Sequence, residues 1–180
     1  MSFDPHLPAG AALVARAALG DSPSLDRLLR AIQQPLHDHI AYILGDGDAA
    51  SDVLQDVLLA ICRGLGRLSD PRLFRAWSFR IATRAALRAA RRERSRETVA
   101  LDGVPEISRT DPEPPFDAEL VGALPAQVAE LPAACGIVVR LRYLDELSLG
   151  EVAEALDLPV GTVKSRAAYG VALLRRRLAR

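Results

Sequence analysis

The sequence has 180 residues, of which 49% are hydrophobic and only 4% aromatic, and its 23 basic side chains balance 23 acidic ones. This length suits one medium domain or two small ones, and the zero net charge excludes a uniformly basic protein that coats DNA. No apolar run approaches the roughly 20 residues needed to cross a bilayer, and no Lys or Arg precedes the apolar stretch 7–19 as in a secretory signal. We therefore expect a cytoplasmic protein without membrane contacts.

Two helices are predicted in the first 65 residues. Residues 24–44 carry apolar side chains at helical spacing, with Ser24 as the expected N-cap and Pro35 expected to bend or split the helix. Residues 49–65 follow a Gly-Asp-Gly break and form a cleaner pattern. The apolar stripe of this second helix consists of Val53, Leu54, Val57, Leu58, Ile61, Cys62 and Leu65. The opposite face carries Asp52, Gln55, Asp56 and Leu59.

A third, Arg-rich helix is predicted from about residue 72 to 96, after a Ser-Asp-Pro turn. Its apolar side carries Leu73, Phe74, Trp77, Ile81 and Ala85, and its basic side carries Arg80, Arg84, Arg88, Arg91 and Arg92. Residues 63–96 hold 11 Arg against two acids, a net charge of +9. A single charge run is usually a solvated helix face, but nearly pure Arg at helical spacing favours contact with phosphates.

An acidic, Pro-rich segment separates two predicted domains. Residues 97–131 have a net charge of −7, and four Pro within residues 97–118 leave little to bury. We predict a flexible linker over residues 97–118, between one helical domain over residues 1–96 and another over residues 119–180. No segment alternates long enough to predict a strand, so the expected fold class is all-α with two small helical domains.

The second domain contains a helix-turn-helix pattern. Ser148 and Glu151 form a capping box at the start of a short helix, and the Asp-Leu-Pro turn at residues 157–159 ends it. A second helix begins near Val160 and carries Thr162, Lys164, Ser165 and Arg166. Packing of Val152, Leu156 and Val163 between the two helices would leave the start of the second helix facing outward. Its polar and basic side chains suit contacts with phosphates or base edges in a major groove.

The sequence predicts no catalytic site, no metal site and no cofactor. The patterns GxxxxGK[ST], GxSxG and HExxH are absent. His37 and His39 stand two positions apart and would point to different faces of a helix, so we expect solvated surface histidines. Cys62 and Cys135 form no CxxC pattern, and we expect two buried thiols in a reducing cytoplasm.

These residues carry a family resemblance. The segment LSLGEVAEALDLPVGTVKSR, residues 147–166, resembles the DNA-binding region 4 of extracytoplasmic-function (ECF) sigma factors. Residues 52–61, DVLQDVLLAI, and residues 74–87, FRAWSFRIATRAAL, are similar to two helices of region 2 in that family. The resemblance covers roughly residues 22–96 and 118–178. It implies a protein that binds core RNA polymerase, recruits it to promoters and assists DNA opening without covalent chemistry.

The resemblance also implies roles for individual side chains. Contact with polymerase, through its β′ coiled-coil and β subunits, would involve Asp52, Gln55, Asp56 and Leu59. Contact with the −10 promoter element would involve Arg72, Phe74, Arg75, Trp77, Arg80, Arg84, Arg88 and Arg91. For Phe74 and Trp77, core packing is the favoured interpretation. Contact with the −35 element would involve Thr162, Lys164, Ser165 and Arg166. An anti-sigma factor is a further partner that the family resemblance suggests.

The sequence departs from the family pattern at several positions. The family commonly has Asn at the position of Arg84 and an acid at that of Arg88. It has more basic residues where this chain has Tyr169, Gly170 and Val171. A Gly inside a helix costs about 1 kcal/mol relative to Ala, so Gly170 is expected to weaken the last helix.

Two other functions remain as alternatives. The first is a LuxR-like helix-turn-helix regulator that does not act as a sigma subunit and needs no polymerase-docking helix. The second is an adaptor that binds only protein, with its Arg side chains on a solvated face. The acidic surface of the second helix distinguishes the first alternative, and the salt dependence of DNA binding distinguishes the second.

Overall fold

A computed structural model describes residues 8–45, 47–94 and 127–178. The regular elements in these ranges are all helical and contain no strand, which confirms the predicted all-α class. The chain divides into two compact units, Met1–Glu97 and Thr98–Arg180. The predicted linker over residues 97–118 lies outside the described residues.

The first unit contains four helices. They are α1 (Pro8–Ala18), α2 (Ser22–Leu44), α3 (Asp48–Gly64) and α4 (Phe74–Arg94), with 3₁₀ turns at Leu65–Arg67 and Pro71–Leu73. Helix α2 packs against the other three, and α3 also packs against α4. Helix α1 additionally contacts both 3₁₀ turns. The core therefore forms around α2, whose fully buried apolar side chains are Leu28, Leu36 and Ile40, with Ile32 nearly so.

The predicted N-cap of α2 is wrong, and one of the two effects expected from Pro35 does not occur. The N-cap is Asp21, three residues before the expected one, and its carboxylate accepts a hydrogen bond of 3.0 Å from the Ser24 backbone N–H. The helix also continues through Pro35 instead of splitting. Buried Ile32 and Leu36 flank the proline, so packing on the neighbouring helices compensates for the missing backbone hydrogen bond.

The prediction of two solvated histidines is wrong for His39. Its ring is fully buried, with its edge towards Phe79 and Nε2 lying 2.9 Å from the Thr83 hydroxyl oxygen. That hydroxyl donates its proton to the Phe79 carbonyl oxygen at 2.7 Å, so Nε2 must be the donor to the Thr83 oxygen. This buried polar link joins α2 to α4.

The second unit is built around its last helix. After helical residues 127–129 come α5 (Ala133–Val139), a π-helical turn (Arg140–Leu144), α6 (Leu149–Leu156) and α7 (Val160–Leu178). Both α5 and α6 pack against α7. Their contacts bury Cys135, Val138, Val139, Val152, Val163, Ala167, Val171 and Leu174.

A buried ion pair lies in the segment that leads into the helix-turn-helix. The Nε atom of Arg140 is 3.6 Å from the Asp145 carboxylate, and their side chains are only 11% and 5% exposed. The Asp145 backbone N–H also donates to the Arg140 carbonyl oxygen at 2.9 Å. The pair therefore closes the π-helical turn from both ends.

Candidate protein and nucleic-acid interfaces

The acidic side of α3 is a continuous exposed surface. Asp52, Gln55, Asp56 and Leu59 are all exposed, and the buried side of the helix holds Leu54, Val57 and Ile61. Leu59 is 51% exposed although it is apolar. A large apolar side chain bordered by carboxylates is typical of a surface that another protein covers.

Cys62 belongs to this same surface and was not predicted there. The expectation of a buried thiol is wrong, because Cys62 is exposed and lies one helical turn after Leu59. Residues 52, 55, 56, 59 and 62 follow i, i+3, i+4 spacing and are all exposed, so they share one face. The sequence pattern had placed Cys62 on the opposite, apolar face. We call Asp52, Gln55, Asp56, Leu59 and Cys62 the α3 face.

Helix α4 presents a row of guanidinium groups. Arg80, Arg84, Arg88 and Arg91 follow the spacing of one helical face; the last three are exposed and Arg80 is half-buried. The row spans about 16 Å along the axis at 1.5 Å per residue. The Nε of Arg88 donates to the Arg84 carbonyl oxygen at 3.1 Å, which orients that side chain along the row. Such a row matches the charge of a nucleic-acid backbone.

The aromatic residues near the start of α4 face the core more than solvent. Phe74 is fully buried, so the prediction that it contacts DNA is corrected: no part of its ring is accessible. Trp77 is half-buried and packs on α3, where a Cβ at Gly64 would lie 2.8 Å from its ring. Phe79, which sequence analysis did not place in the core, is fully buried, and the Arg75 guanidinium carbon lies 5.5 Å from its ring centroid.

The turn before α4 holds Arg72 in a defined orientation. Asp70 accepts the Arg72 backbone N–H at 2.9 Å and also accepts from Nε and Nη2 of its guanidinium group, the latter at 2.8 Å. These hydrogen bonds lower the pKa of the Asp70 carboxyl group. Arg72 is therefore less available to a phosphate than the exposed arginines of α4. Leu73, predicted on the apolar side, is 47% exposed beside it.

The helix-turn-helix has the predicted local geometry. Ser148 and Glu151 form a reciprocal capping box, with the Glu151 carboxylate accepting the Ser148 backbone N–H at 2.7 Å. Helix α6 ends at Leu156, and Asp157 adopts a left-handed conformation with φ of 57°. Val152 and Val163 are fully buried between the helices, whereas Leu156 is half-buried. The opposite side of the first turn of α7, with Gly161 and Lys164 exposed, is left uncovered by this packing.

The predicted −35 residues lie around the start of α7. Lys164 is exposed on one side, while Thr162, Ser165 and Arg166 are half-buried on another, in agreement with their spacing. The Ser165 hydroxyl donates to the Thr162 carbonyl oxygen at 3.0 Å. Burial raises the pKa of the Cys135 thiol, and the positive charge of Arg166 opposes that rise.

Metal and membrane features are absent from the residues that the structure describes. Within 8–45, 47–94 and 127–178, no three His, Cys, Asp or Glu side chains are placed to hold a metal ion. None of the helices in these ranges is long and apolar enough to cross a membrane.

Both units match known sequence families. Residues 28–96 match the family described as Sigma-70 region 2, and residues 122–174 match Sigma-70, region 4. Among solved structures, that of CnrH in complex with the cytosolic domain of CnrY has a TM-score of 0.64 and 24% identity, covering 94% of this chain and 96% of that one. The sigma factor RpoE of Bartonella quintana, solved with the anti-sigma factor NepR, has a TM-score of 0.59 and 20% identity over 86% and 96% of the two chains. These two structures share the fold.

Curated relatives extend over nearly the whole chain. SigW of Bacillus subtilis, an ECF RNA polymerase sigma factor, is 28% identical over 88% of this chain and 91% of its own. The ECF sigma factor SigM of Mycobacterium tuberculosis is 30% identical over 96% of this chain and 86% of its own. The presence of region 2 ahead of region 4 does not favour a regulator that lacks a polymerase-docking helix. The chain thus belongs to the ECF family of RNA polymerase sigma factors, which direct the polymerase to promoters.

Proposed function

We propose that the two units of this sigma factor divide its work, with polymerase and the −10 element bound by the first and the −35 element by the second. The α3 face would dock on the β′ coiled-coil of core RNA polymerase, and the arginine row of α4 would hold phosphates of the −10 region. The helix-turn-helix would read the −35 element. The single observation that carries this proposal is the exposed α3 face, where Leu59 is 51% exposed beside acidic side chains. Helix α3 packs directly against α4, which carries the arginine row.

The proposal assigns the −10 contacts to fewer residues than sequence reasoning did. Arg84, Arg88 and Arg91 are the main phosphate contacts because they are exposed. Arg80 and Trp77 are half-buried and would contact the DNA only in part. Arg75 and Arg72 have internal partners and contribute less. In the second unit, Arg166 and Ser165 would approach base edges or phosphates of one strand, and Lys164 would reach the other wall of the groove.

The cellular location and a further partner belong to the same function. The protein acts in the cytoplasm without a cofactor or a reaction of its own. An anti-sigma factor is a further proposed partner. Covering Leu59 would favour its binding, because that apolar side chain is exposed to water in the free protein.

Asp56→Arg tests the polymerase contact. The variant should fold normally, because Asp56 is exposed, but bind core polymerase at least tenfold more weakly, since a charge reversal at a complementary interface costs more than about 1.4 kcal/mol. Titration of labelled protein with core polymerase measures the affinity. Asp26→Arg on α2 is the control: it reverses an exposed acid of another helix, breaks only the exposed pair with Arg30, and should leave the affinity unchanged.

Cys62 supplies a second measurement of the same contact. A maleimide should label the exposed Cys62 of the free protein and leave the buried Cys135 unlabelled, and core polymerase should protect Cys62. Equal labelling of Cys62 with and without polymerase, together with unchanged affinity of Asp56→Arg, would remove the α3 face from the interface.

Arg84→Ala tests the −10 contact. Loss of one phosphate contact should lower the slope of log affinity against log salt concentration by about 0.7–0.9 for the holoenzyme on promoter DNA. Arg27→Ala on α2, another exposed arginine, should not change the slope. If both variants give the wild-type slope, the arginine row faces solvent in the complex.

A further inference from the structure

The outward side of α7 extends beyond the residues predicted to bind DNA. Val163, Ala167, Val171 and Leu174 define its buried side. On the opposite side, Tyr169 is 38% exposed and lies within about 40° of both Thr162 and Ser165 at 100° per residue. Arg176 is also exposed and lies two turns further on, about 20° from Tyr169 around the axis.

The surroundings of Tyr169 leave its ring accessible and its backbone fixed. Two outward neighbours one helical turn away are small: Ser165 lies four residues before it and Ala172 three residues after it. The next residue, Gly170, is fully inward, where an added Cβ would lie 2.6 Å from Val139. This close approach to α5 fixes the direction in which Tyr169 points, so its phenol is presented by a rigid part of the helix.

We propose that Tyr169 is a specificity-determining residue whose hydroxyl donates a hydrogen bond to an acceptor atom of the −35 DNA, and that Arg176 neutralises a phosphate farther along the same face. The inference rests on the proposed function of the second unit. Tyr169 stands about 6 Å along the axis from Ser165 and about 10 Å from Arg176. A major groove about 12 Å wide accommodates that spacing, with the phenol inside it and the guanidinium group at its wall.

The two residues have separable physical signatures. A phenol hydroxyl is a neutral hydrogen-bond donor, so its hydrogen bond releases no counterion and leaves the salt slope unaltered. A guanidinium group on a phosphate does release counterions. This chain would therefore replace part of the usual electrostatic attraction at −35 by a neutral contact, which makes recognition more dependent on base sequence and less on salt concentration.

The experiment uses holoenzyme reconstituted from core polymerase and the full chain. Its probe is the DNA fragment most enriched from a genomic library by the wild-type holoenzyme, with its upstream protected segment located by footprinting. Tyr169→Phe removes only the hydroxyl and should weaken binding about five- to tenfold without changing the salt slope. Arg176→Ala should lower the slope by about 0.9. Arg177→Ala is its matched control, because the Arg177 guanidinium pairs with Glu130 at 3.0 Å.

The outcomes separate this inference from the proposed function. Arg166→Ala is measured in parallel. If it weakens binding while Tyr169→Phe binds as tightly as wild type, the assignment of Tyr169 is overturned and the −35 role of the unit stands. If Arg166→Ala, Tyr169→Phe and Arg176→Ala all bind as wild type, the proposed function of the second unit fails as well. Loss of affinity in Tyr169→Phe with an unchanged salt slope supports the inference.

Discussion

Asp145→Ala is expected to destabilise the second unit by about 3–5 kcal/mol, because it leaves the Arg140 charge buried without its carboxylate partner. Both side chains of this pair are almost fully enclosed, at 11% and 5% exposure. The described part of the unit is small, and a domain of that size has a total stability of only about 3–8 kcal/mol at typical values per residue. Much of the unit should therefore unfold at room temperature.

Hydrogen exchange resolved by mass spectrometry measures this effect, because it reports on each unit separately. Amides of α5 and α7 should lose protection in Asp145→Ala, while those of α2 keep theirs. The control is Arg177→Ala, which breaks the Arg177–Glu130 pair: its 3.0 Å separation is shorter, but the side chains are 43% and 65% exposed. That variant should lose about 0–1 kcal/mol. Similar losses in the two variants would contradict the role given to burial.

The same variant has a functional consequence. The pair closes the turn from which Leu147 and α6 continue, so its loss disturbs the helix-turn-helix and not the first unit. Asp145→Ala should retain affinity for core polymerase through the α3 face and lose recognition of the −35 element. Replacing both partners by apolar residues, as in Arg140→Met with Asp145→Leu, should recover much of the stability, because no charge is then left buried.

The sequence predicted the helix-turn-helix well because its signals are local. The capping box of Ser148 and Glu151 and the proline after Leu158 act within one helical turn of the residues they constrain. Family resemblance then supplied the function. The fold class followed from composition and helical spacing in the same way, since neither depends on which helices become neighbours.

Apart from the start of α2 and the effect of Pro35, the errors concern which side of a helix meets its neighbours. Helix α4 has apolar residues around much of its circumference, and the structure buries Phe79 and Ala82 where the sequence favoured Trp77 and Ile81. Two polar residues, Ser78 and Thr83, lie on the buried side of this helix. Their hydroxyls donate to the carbonyl oxygens of Phe74 and Phe79, at 2.8 and 2.7 Å, which makes their burial possible. Side-chain polarity alone does not reveal such internal hydrogen bonds.

The candidate surfaces were predictable in outline only. Asp56, Leu59 and the exposed arginines of α4 were identified because spacing assigns them to a face. Phe74 was placed on the apolar side of its helix and, by family resemblance alone, also among the DNA contacts; its full burial agrees with the first assignment and contradicts the second. The exposure of Cys62 depends on where α2 and α4 pack against α3, which no local pattern encodes.

Gly170→Ala reverses the effect expected from helix propensity. Propensity alone predicts a gain of about 1 kcal/mol from this substitution. In the structure the new Cβ would lie 2.6 Å from Val139 Cγ2 and 3.6 Å from Cys135 Cβ, all within the buried contact of α5 with α7. Val139 is β-branched and has one strongly preferred χ1 rotamer in a helix, so moving it away from the new Cβ costs free energy. Overpacking of this kind costs about 1–3 kcal/mol, and we expect net destabilisation of the second unit in hydrogen exchange.

A matched glycine and a rescue distinguish this contact from an effect of helix propensity. Gly161→Ala introduces the same methyl group into the same helix, where it meets nothing within 4 Å, and should be neutral or slightly stabilising. Adding Val139→Ala to Gly170→Ala removes the methyl group that collides with the new Cβ, so the double variant should be more stable than the sum of the two single effects predicts. A gain of stability in Gly170→Ala alone would show that α5 and α7 are not packed this closely. In that case the glycine at position 170, where the family has a larger residue, would only weaken the helix and would not be required for its packing against α5.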